Sequence, residues 1–510
     1  MLDSQTLYIV CSILLALIAL VAYQLFSHKL PLPPGPPGKL ISGNLHQVPK
    51  SEGWQTYAKW AKTYGPVIYL RAFHKRFVIL NSAKAVVDLL ETRSSIYSDR
   101  PVIWMFSKDL AARHKAVFNI SSLNPRFKQY RKQLNSGLNS RATQSHMPLI
   151  EQESRTYLIA LATSPEKFVS HTKRCAGAVI LKIAYGWTVT SNDDRLVVFT
   201  EEGLRIGGEM SQPGRWFVEI FPLLRFVPAW MPGAGFKRRA AWVRQRMTNI
   251  DRFPFNWTKE QIKSGNYIES FTSIGLQPEG GKPLSPEEED ILKWCSAALY
   301  SAGSDTTVAV MESFFLMMTL HPDVQRRAQA EIDRVIGKER LPTIDDKNAL
   351  PFTMGLIKEV MRCAPVAPTG LPHRVTQDDV YQGFRIPKGT TVVANIWAIT
   401  RDSDMYPDPL VFDPERFVPR PGFEVQTDPR KWVFGFGRRV CPGAHFAETN
   451  LFLNITGILA IFNISKAVKD GKEVEPDIGF VSYGTIAHPK PFDCRITPRS
   501  PGLLASLSMA

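Results

Sequence analysis

The sequence predicts a mainly α-helical chain with a minor β portion, a single large domain behind one N-terminal transmembrane helix. Three observations predict it. An uncharged twenty-residue run occupies Leu7–Phe26, a helical pattern continues without a break from Ser285 to Leu320, and strand-like runs are short and few. The 510 residues are 44% hydrophobic and 21% charged, with 38 Pro and 33 Gly, which excludes a disordered chain and a collagen. Length alone would allow two or three average domains, but no repeat or long low-complexity tract divides the chain.

Taken in order, Leu7–Phe26 is long enough for the hydrocarbon core, because a helix rises ~1.5 Å per residue across roughly 30 Å. Asp3 is the only charge before the run, whereas His28, Lys29 and Lys39 follow it, so the positive-inside rule keeps the C-terminal side in the cytosol. A cleaved signal peptide would have a shorter apolar stretch with basic residues ahead of it. Pro31–Gly38 (PLPPGPPG) cannot continue the helix and reads as a stiff hinge to the body, residues 39–510. On the cytosolic side the sequons at Asn119, Asn256, Asn454 and Asn463 are chance matches.

Within the body, residues 50–90 predict a short helix and two strands, Val67–Arg71 and Arg76–Leu80. From Lys128 to about Leu320 the pattern is mainly helical, interrupted by a polar loop at Gly275–Pro286. The clearest helix start is Ser285-Pro286-Glu287-Glu288, an N-cap serine, a first-turn proline and a capping-box glutamate. His321-Pro322 is the stop, so this helix is about 34 residues and roughly 50 Å long and must cross the molecule. Residues 322–336, 351–363 and 444–462 predict further helices, and 366–393 short strands.

The formal charge of +15 (62 Lys and Arg against 47 Asp and Glu) suggests an acidic partner or an anionic surface. No nucleic-acid-binding signature accompanies it, so nucleic acid is set aside. The six cysteines (11, 175, 295, 363, 441 and 494) form no CxxC pair, which argues against zinc and for a reducing compartment.

The string Phe434-Gly435-Phe436-Gly437-Arg438-Arg439-Val440-Cys441-Pro442-Gly443 fits F-x-x-G-x-R-x-C-x-G at every fixed position. Its glycines let a loop pass close beneath a flat ligand, and the helix starting near Ala444 places its N-terminal dipole beside Cys441, where it favours a thiolate. Arg439 adds a positive charge that can meet an acidic group. A thiolate so held suits a haem iron and favours O–O cleavage.

On these residues the chain resembles microsomal cytochromes P-450 along nearly its whole length. PGAGFKR (232–238) and SYGTIAHP (482–489) are most similar to fungal secondary-metabolism members. The resemblance implies haem b with Cys441 as axial ligand. It also implies an oxygen-activation segment at Ala302–Thr307, where Gly303 opens a groove, Asp305 carries protons and Thr306 donates them or organises a water. Glu359 and Arg362 in LIKEVMR, with Arg416, match a structural triad that holds the cysteine loop. Haem propionates would meet Arg131, His373 and Arg439, with Arg100 as a further candidate and Phe434 and Gly437 shaping the haem-side loop. The family usually has Trp where this chain has Phe127, which removes one indole donor.

The same resemblance places the substrate pocket among Pro101–Leu123, Ala297–Gly303, Val366–Pro372 and Phe480–Ile486, including Val366, Ala367, Leu371, Val481 and Ile486. Phe221–Phe236 either dips into a bilayer or is an ordinary buried connection. There is no flavin or nicotinamide fingerprint, so electrons must come from a separate protein. Lys128, Arg131, Lys132, Arg430, Lys431 and Arg438 offer a positive face to an acidic NADPH-cytochrome P-450 reductase. The expected activity is insertion of one atom of O2 into a lipophilic small molecule at the endoplasmic reticulum membrane. Two alternatives remain open at this point: isomerisation or dehydration of a peroxide without a reductase, and a non-catalytic haem sensor.

Overall fold

The computed structural model describes residues 30–500 apart from Lys50, Pro213, Glu279, Gly280 and Tyr483, together with Gln5, Tyr8 and Ser12–Leu17. Among these no helix is long and apolar enough to cross a membrane. The predicted span Leu7–Phe26 lies largely outside the described residues.

Ten helices of twelve residues or more make up the described body: α1 Gly53–Tyr64, α2 Arg126–Leu138, α3 Met147–Thr163, α4 Phe168–Tyr185, α5 Arg195–Ser211, α6 Gly235–Ser264, α7 Pro286–Leu320, α8 Pro322–Val335, α9 Pro351–Cys363 and α10 Ala444–Ile461. The start of α7 is built as its sequence implies. Glu288 N–H donates to Ser285 Oγ at 3.3 Å, and Ser285 N–H donates back to Glu288 Oε2 at 2.9 Å. Helix α7 is buried on nearly every side between Ile291 and Met318, which is why it lacks a polar stripe. It packs with α4 and α10 in the main core, to which Phe314, Phe315, Ile180, Leu181, Phe452 and Ile458 contribute.

The β portion is small. Strands β1 Val67–Ala72 and β2 Lys75–Leu80 pair as a hairpin, β6 Thr391–Ala394 lies parallel to β2, and β3 His373–Arg374 closes the sheet against β6. Strands β4 Asp379–Tyr381 and β5 Phe384–Ile386 make a second hairpin. A three-stranded sheet joins β7 Phe462–Lys469, β8 Lys472–Val474 and β11 Cys494–Pro498, and β9 Phe480–Ser482 pairs with β10 Ala487–Pro489.

The Pro-rich segment Pro31–Gly38, expected as a hinge, is instead fastened to the body. Tyr69 N–H donates to Pro34 O at 2.9 Å, Arg385 N–H to Pro31 O at 2.8 Å and Asn44 Nδ2 to Pro36 O at 2.8 Å. Proline carbonyls remain good acceptors after the N–H is lost, and Pro33 and Pro36 are buried. Gly35 is obligatory there, because a Cβ would sit 2.1 Å from Tyr69 O.

Candidate haem-thiolate site

The loop before α10 is fixed by its backbone. Cys441 N–H donates to Phe434 O at 2.7 Å, closing the loop, and Gly435 and Gly437 adopt φ of +78° and +52°. At Gly437 a Cβ would lie 2.4 Å from Leu90 O and 2.7 Å from Ser94 Cβ, so the glycine seats the loop on residues 87–97. Phe434 is half-buried at the loop's other end.

Cys441 is exposed, whereas Cys175 and Cys295 are buried and Cys363 and Cys494 half-buried. Burial raises the Cys441 thiol above the ordinary value, while the Gly443 N–H and the Arg131 charge pull it back down. The helix terminus alone therefore does not make the thiolate expected from the sequence. Desolvation outweighs it, and iron coordination, which deprotonates a thiol outright, must supply the rest.

Three predicted haem contacts, Arg439, Arg100 and His373, gather at one short segment, Tyr97–Arg100. Arg439 donates to Ser98 O at 2.8 Å and to Ile120 O at 2.6 Å, and its guanidinium stacks 4.2 Å over the Phe127 ring. Phe127, standing where the family has Trp, thus serves as a platform for Arg439. Arg100 reaches Leu371 O at 2.8 Å and Pro372 O at 2.7 Å. His373 Nδ1 donates to Tyr97 O at 2.7 Å, so the neutral ring carries its lone pair on Nε2 and donates there only after taking a proton. Arg131 is half-buried on α2 and is felt electrostatically by Cys441.

No described carboxylate lies within salt-bridge distance of Arg100, Arg131 or Arg439. Burial pushes Arg100 down to about 9, assisted by repulsion from Arg439. Burial likewise pushes Arg439 to about 10, and His373 to about 3 with Arg100 and Arg439 adding to the effect. Desolvated cations without carboxylate partners call for an anionic ligand, and one thiol-bearing loop close by calls for a soft metal. This donor set fits a haem.

A buried ion cluster holds the chain at residues 400–413, ahead of the loop. Glu359 and Arg362 are both fully buried and pair through two bonds of 2.7 Å. Arg416 Nε stands 3.5 Å from Glu359 Oε1, and Arg362 also donates to Thr400 O at 2.9 Å and Pro409 O at 2.7 Å. These residues hold the backbone of residues 400–411.

Midway along α7, Thr306 Oγ1 donates to Ala302 O at 2.8 Å, a back-bond that leaves its oxygen free to accept. Gly303 does not open a groove here: a Cβ would meet Ile180 Cγ1 at 2.7 Å, so the glycine lets α4 approach closely. Asp305 does not stand alone. His488 of β10 places Nε2 at 3.3 Å from Asp305 Oδ1 and Nδ1 at 2.8 Å from Glu312 Oε2. His488 lies 176 residues from Glu312, and the SYGTIAHP stretch that contains it points to a group of relatives and not to a role for this ring.

Of the expected pocket residues, Val366, Ala367, Val481 and Ile486 are half-buried and Leu371 is exposed, and Ala487 N–H ties β10 to Val366 O at 2.8 Å. Phe221, Leu223, Phe226 and Trp230 are exposed, which excludes a buried connection for that segment. On the cysteine side Lys128, Lys132, Lys431 and Arg438 are exposed without described ion pairs. Arg430, expected among them, is neutralised by Asp428 and Glu448 at 2.5 Å each, because both acids fall within its reach.

A long buried helix crossing an α-rich fold, with a cysteine loop, a buried ion cluster ahead of it and unpaired cations beside it, defines a haem-thiolate protein. The chain matches the family Cytochrome P450 over residues 33–493 and belongs to it. It is 42% identical to Cytochrome P450 monooxygenase 208 of Postia placenta over 96% of this chain and 94% of that protein. It is also 40% identical to Cytochrome P450 monooxygenase claR of Ampulloclitocybe clavipes (92% and 87% covered) and 37% identical to Cytochrome P450 monooxygenase COX2 of Coprinopsis cinerea (92% and 90%). It is accordingly an oxidoreductase of the cytochrome P450 monooxygenase family, with haem iron and a cysteine thiolate ligand. Monooxygenases of this family use O2, a lipophilic substrate and a redox partner.

Proposed function

We propose that this protein inserts one oxygen atom from O2 into a terpenoid, steroid or polyketide-like secondary metabolite or xenobiotic, using electrons from NADPH through a separate reductase. The observation that carries the monooxygenase reading is the Asp305–Thr306 pair at the middle of α7. A peroxide isomerase or a haem sensor has no use for a proton path there. The haem iron supplies oxygen activation; the protein's own residues bind, orient and deliver protons. Cys441 would hold the iron and Arg131, Arg439 and Arg100 the propionates, with His373 Nε2 able to donate only when a propionate brings a proton onto it. Thr306, its proton engaged by Ala302 O, has an oxygen that can accept from and orient a water. Asp305, on the next residue, points elsewhere on the helix and acts in series with it as proton carrier.

Two exposed features support the partner and membrane assignments. Lys128, Lys132, Lys431 and Arg438 suit an acidic reductase surface, with Arg430 excluded by its pairing. Phe221 packs edge-to-face against Phe73 with ring centroids 5.4 Å apart, and Phe73 N–H donates to Ser42 O at 3.3 Å, so the exposed apolar segment and the N-terminal segment meet at the β1–β2 turn. With Leu7–Phe26 as anchor, both would face one endoplasmic reticulum membrane from its cytosolic side.

The test is turnover of a lipophilic panel in microsomes containing a reductase. Product should require NADPH, O2 and reductase together. Thr306→Ala should keep haem and substrate binding while diverting NADPH equivalents to hydrogen peroxide. Asp305→Asn should slow oxygen consumption by about 10²-fold or more. Wild-type rate and coupling in both variants would overturn the relay.

A further inference from the structure

Asp305 and Glu312 lie seven residues apart on α7, two turns and about 10 Å along one face. The His488 ring sits between them, with Nε2 at 3.3 Å from Asp305 and Nδ1 at 2.8 Å from Glu312. Nδ1–H donates to Glu312, while Nε2 faces Asp305 at ion-pair distance, and a neutral imidazole has a single N–H. A ring protonated at both nitrogens would serve both acids at once. All three side chains are largely shielded, with 22%, 16% and 10% of Asp305, His488 and Glu312 accessible. The ring cannot drift, because strand β10 is held on one side by β9 and tied to Val366 by the Ala487 N–H. Asp305 Oδ2 has no described hydrogen-bond partner, so His488 is what restrains this carboxylate.

We propose that His488 is a positioning residue for the oxygenase reaction: braced by Glu312, it holds the Asp305 carboxyl group in one orientation for proton delivery. This rests on the reading of Asp305 as proton carrier. The ring restrains the acid between deliveries, so each cycle starts from the same carboxyl geometry. Glu312 acts one step further back. It keeps the second ring nitrogen protonated and the ring plane fixed.

The first test needs no turnover. In the diamagnetic carbon monoxide complex of the ferrous holoenzyme, ¹⁵N-histidine NMR at neutral pH should show both His488 nitrogens protonated; Asp305→Asn and Glu312→Gln should each move one of them. A neutral His488 ring in the unsubstituted protein would overturn the proposal.

The second test uses turnover. His488→Asn should retain haem and substrate KM but lower kcat about tenfold and raise the peroxide share of NADPH consumed. Glu312→Gln should do the same to a smaller degree. A purely structural strap would lower thermal stability in both variants without changing that share, and this result would overturn the proposal. If Asp305→Asn impairs turnover while His488→Asn leaves rate and coupling intact, positioning by His488 fails but the relay stands. If Asp305→Asn is itself silent, the relay fails and takes the proposal with it. Should His488→Asn fold poorly, His488→Gln and the NMR of the unsubstituted protein still decide.

Discussion

The two chemically important regions are held in place by different means. The Cys441 loop is set by backbone: positive φ at Gly435 and Gly437, the Cys441 N–H on Phe434 O, and a steric stop against Leu90. The middle of α7 is set by side-chain charge, with Asp305 and Glu312 gripping one imidazole from a strand distant in sequence. The first region should tolerate changes of charge around it but no change of backbone conformation. The second should tolerate neither a lost charge nor a lost donor, while its helical backbone would survive either. The cysteine thus has a rigid mount and the proposed proton carrier an electrostatic one.

The largest effect that would break this comparison is at the ligand itself. Cys441→Ser should abolish the red-shifted band of the ferrous carbon monoxide complex, whereas Cys363→Ser should keep it; an unchanged Cys441→Ser spectrum would remove the assignment. Next comes the buried ion cluster ahead of the loop. Glu359→Gln leaves the fully buried Arg362 without its carboxylate and should destabilise the fold by roughly 3–5 kcal/mol in denaturant titrations, with loss of haem. Gly437→Ala combines a left-handed backbone with a Cβ clash and should cost about 2–4 kcal/mol, read the same way.

The smallest effect separates two histidines on opposite terms. His373 faces Arg100 and Arg439 and sits at about 3, below its ordinary 6.5. Its contribution to stability is present above pH 6.5 and is lost as pH falls toward 3. His488, facing Asp305 and Glu312, is raised to about 9: burial opposes the rise, but the two acids outweigh it. Its contribution is present below pH 6.5 and is lost as pH rises through 9. The apparent Tm of His488→Asn should therefore trail the parent by roughly 2–4 °C at pH 6 and converge with it near pH 10. A gap that widens with rising pH would contradict the imidazolium.

What could be read from the sequence follows the same division. The Cys441 loop, the capping box at Ser285 and the Glu359–Arg362 pair are local patterns in which a few neighbouring residues determine their own geometry. The strands at 67–80 and the ends of α7, α9 and α10 were legible for the same reason. Three things were not. Pairing of Arg430 with Glu448, stacking of Arg439 on Phe127 and bridging by His488 all depend on which distant segment folds against which. Gly303 shows the limit most clearly. Its presence in the helix was visible, but its reason, the approach of Ile180 on α4, is a packing fact that no spacing along α7 encodes.

The docking of Pro31–Gly38 on the sheet has one more consequence. A free Pro-rich linker would let the body swivel over a hemisphere set by the linker's length. With Pro31, Pro34 and Pro36 bonded to the body, the leash effectively ends at residue 30. Under the anchor proposed above, Pro31–Gly38 would therefore add nothing to the reach of the tether, and less rotational freedom would be left for a docking electron donor to remove.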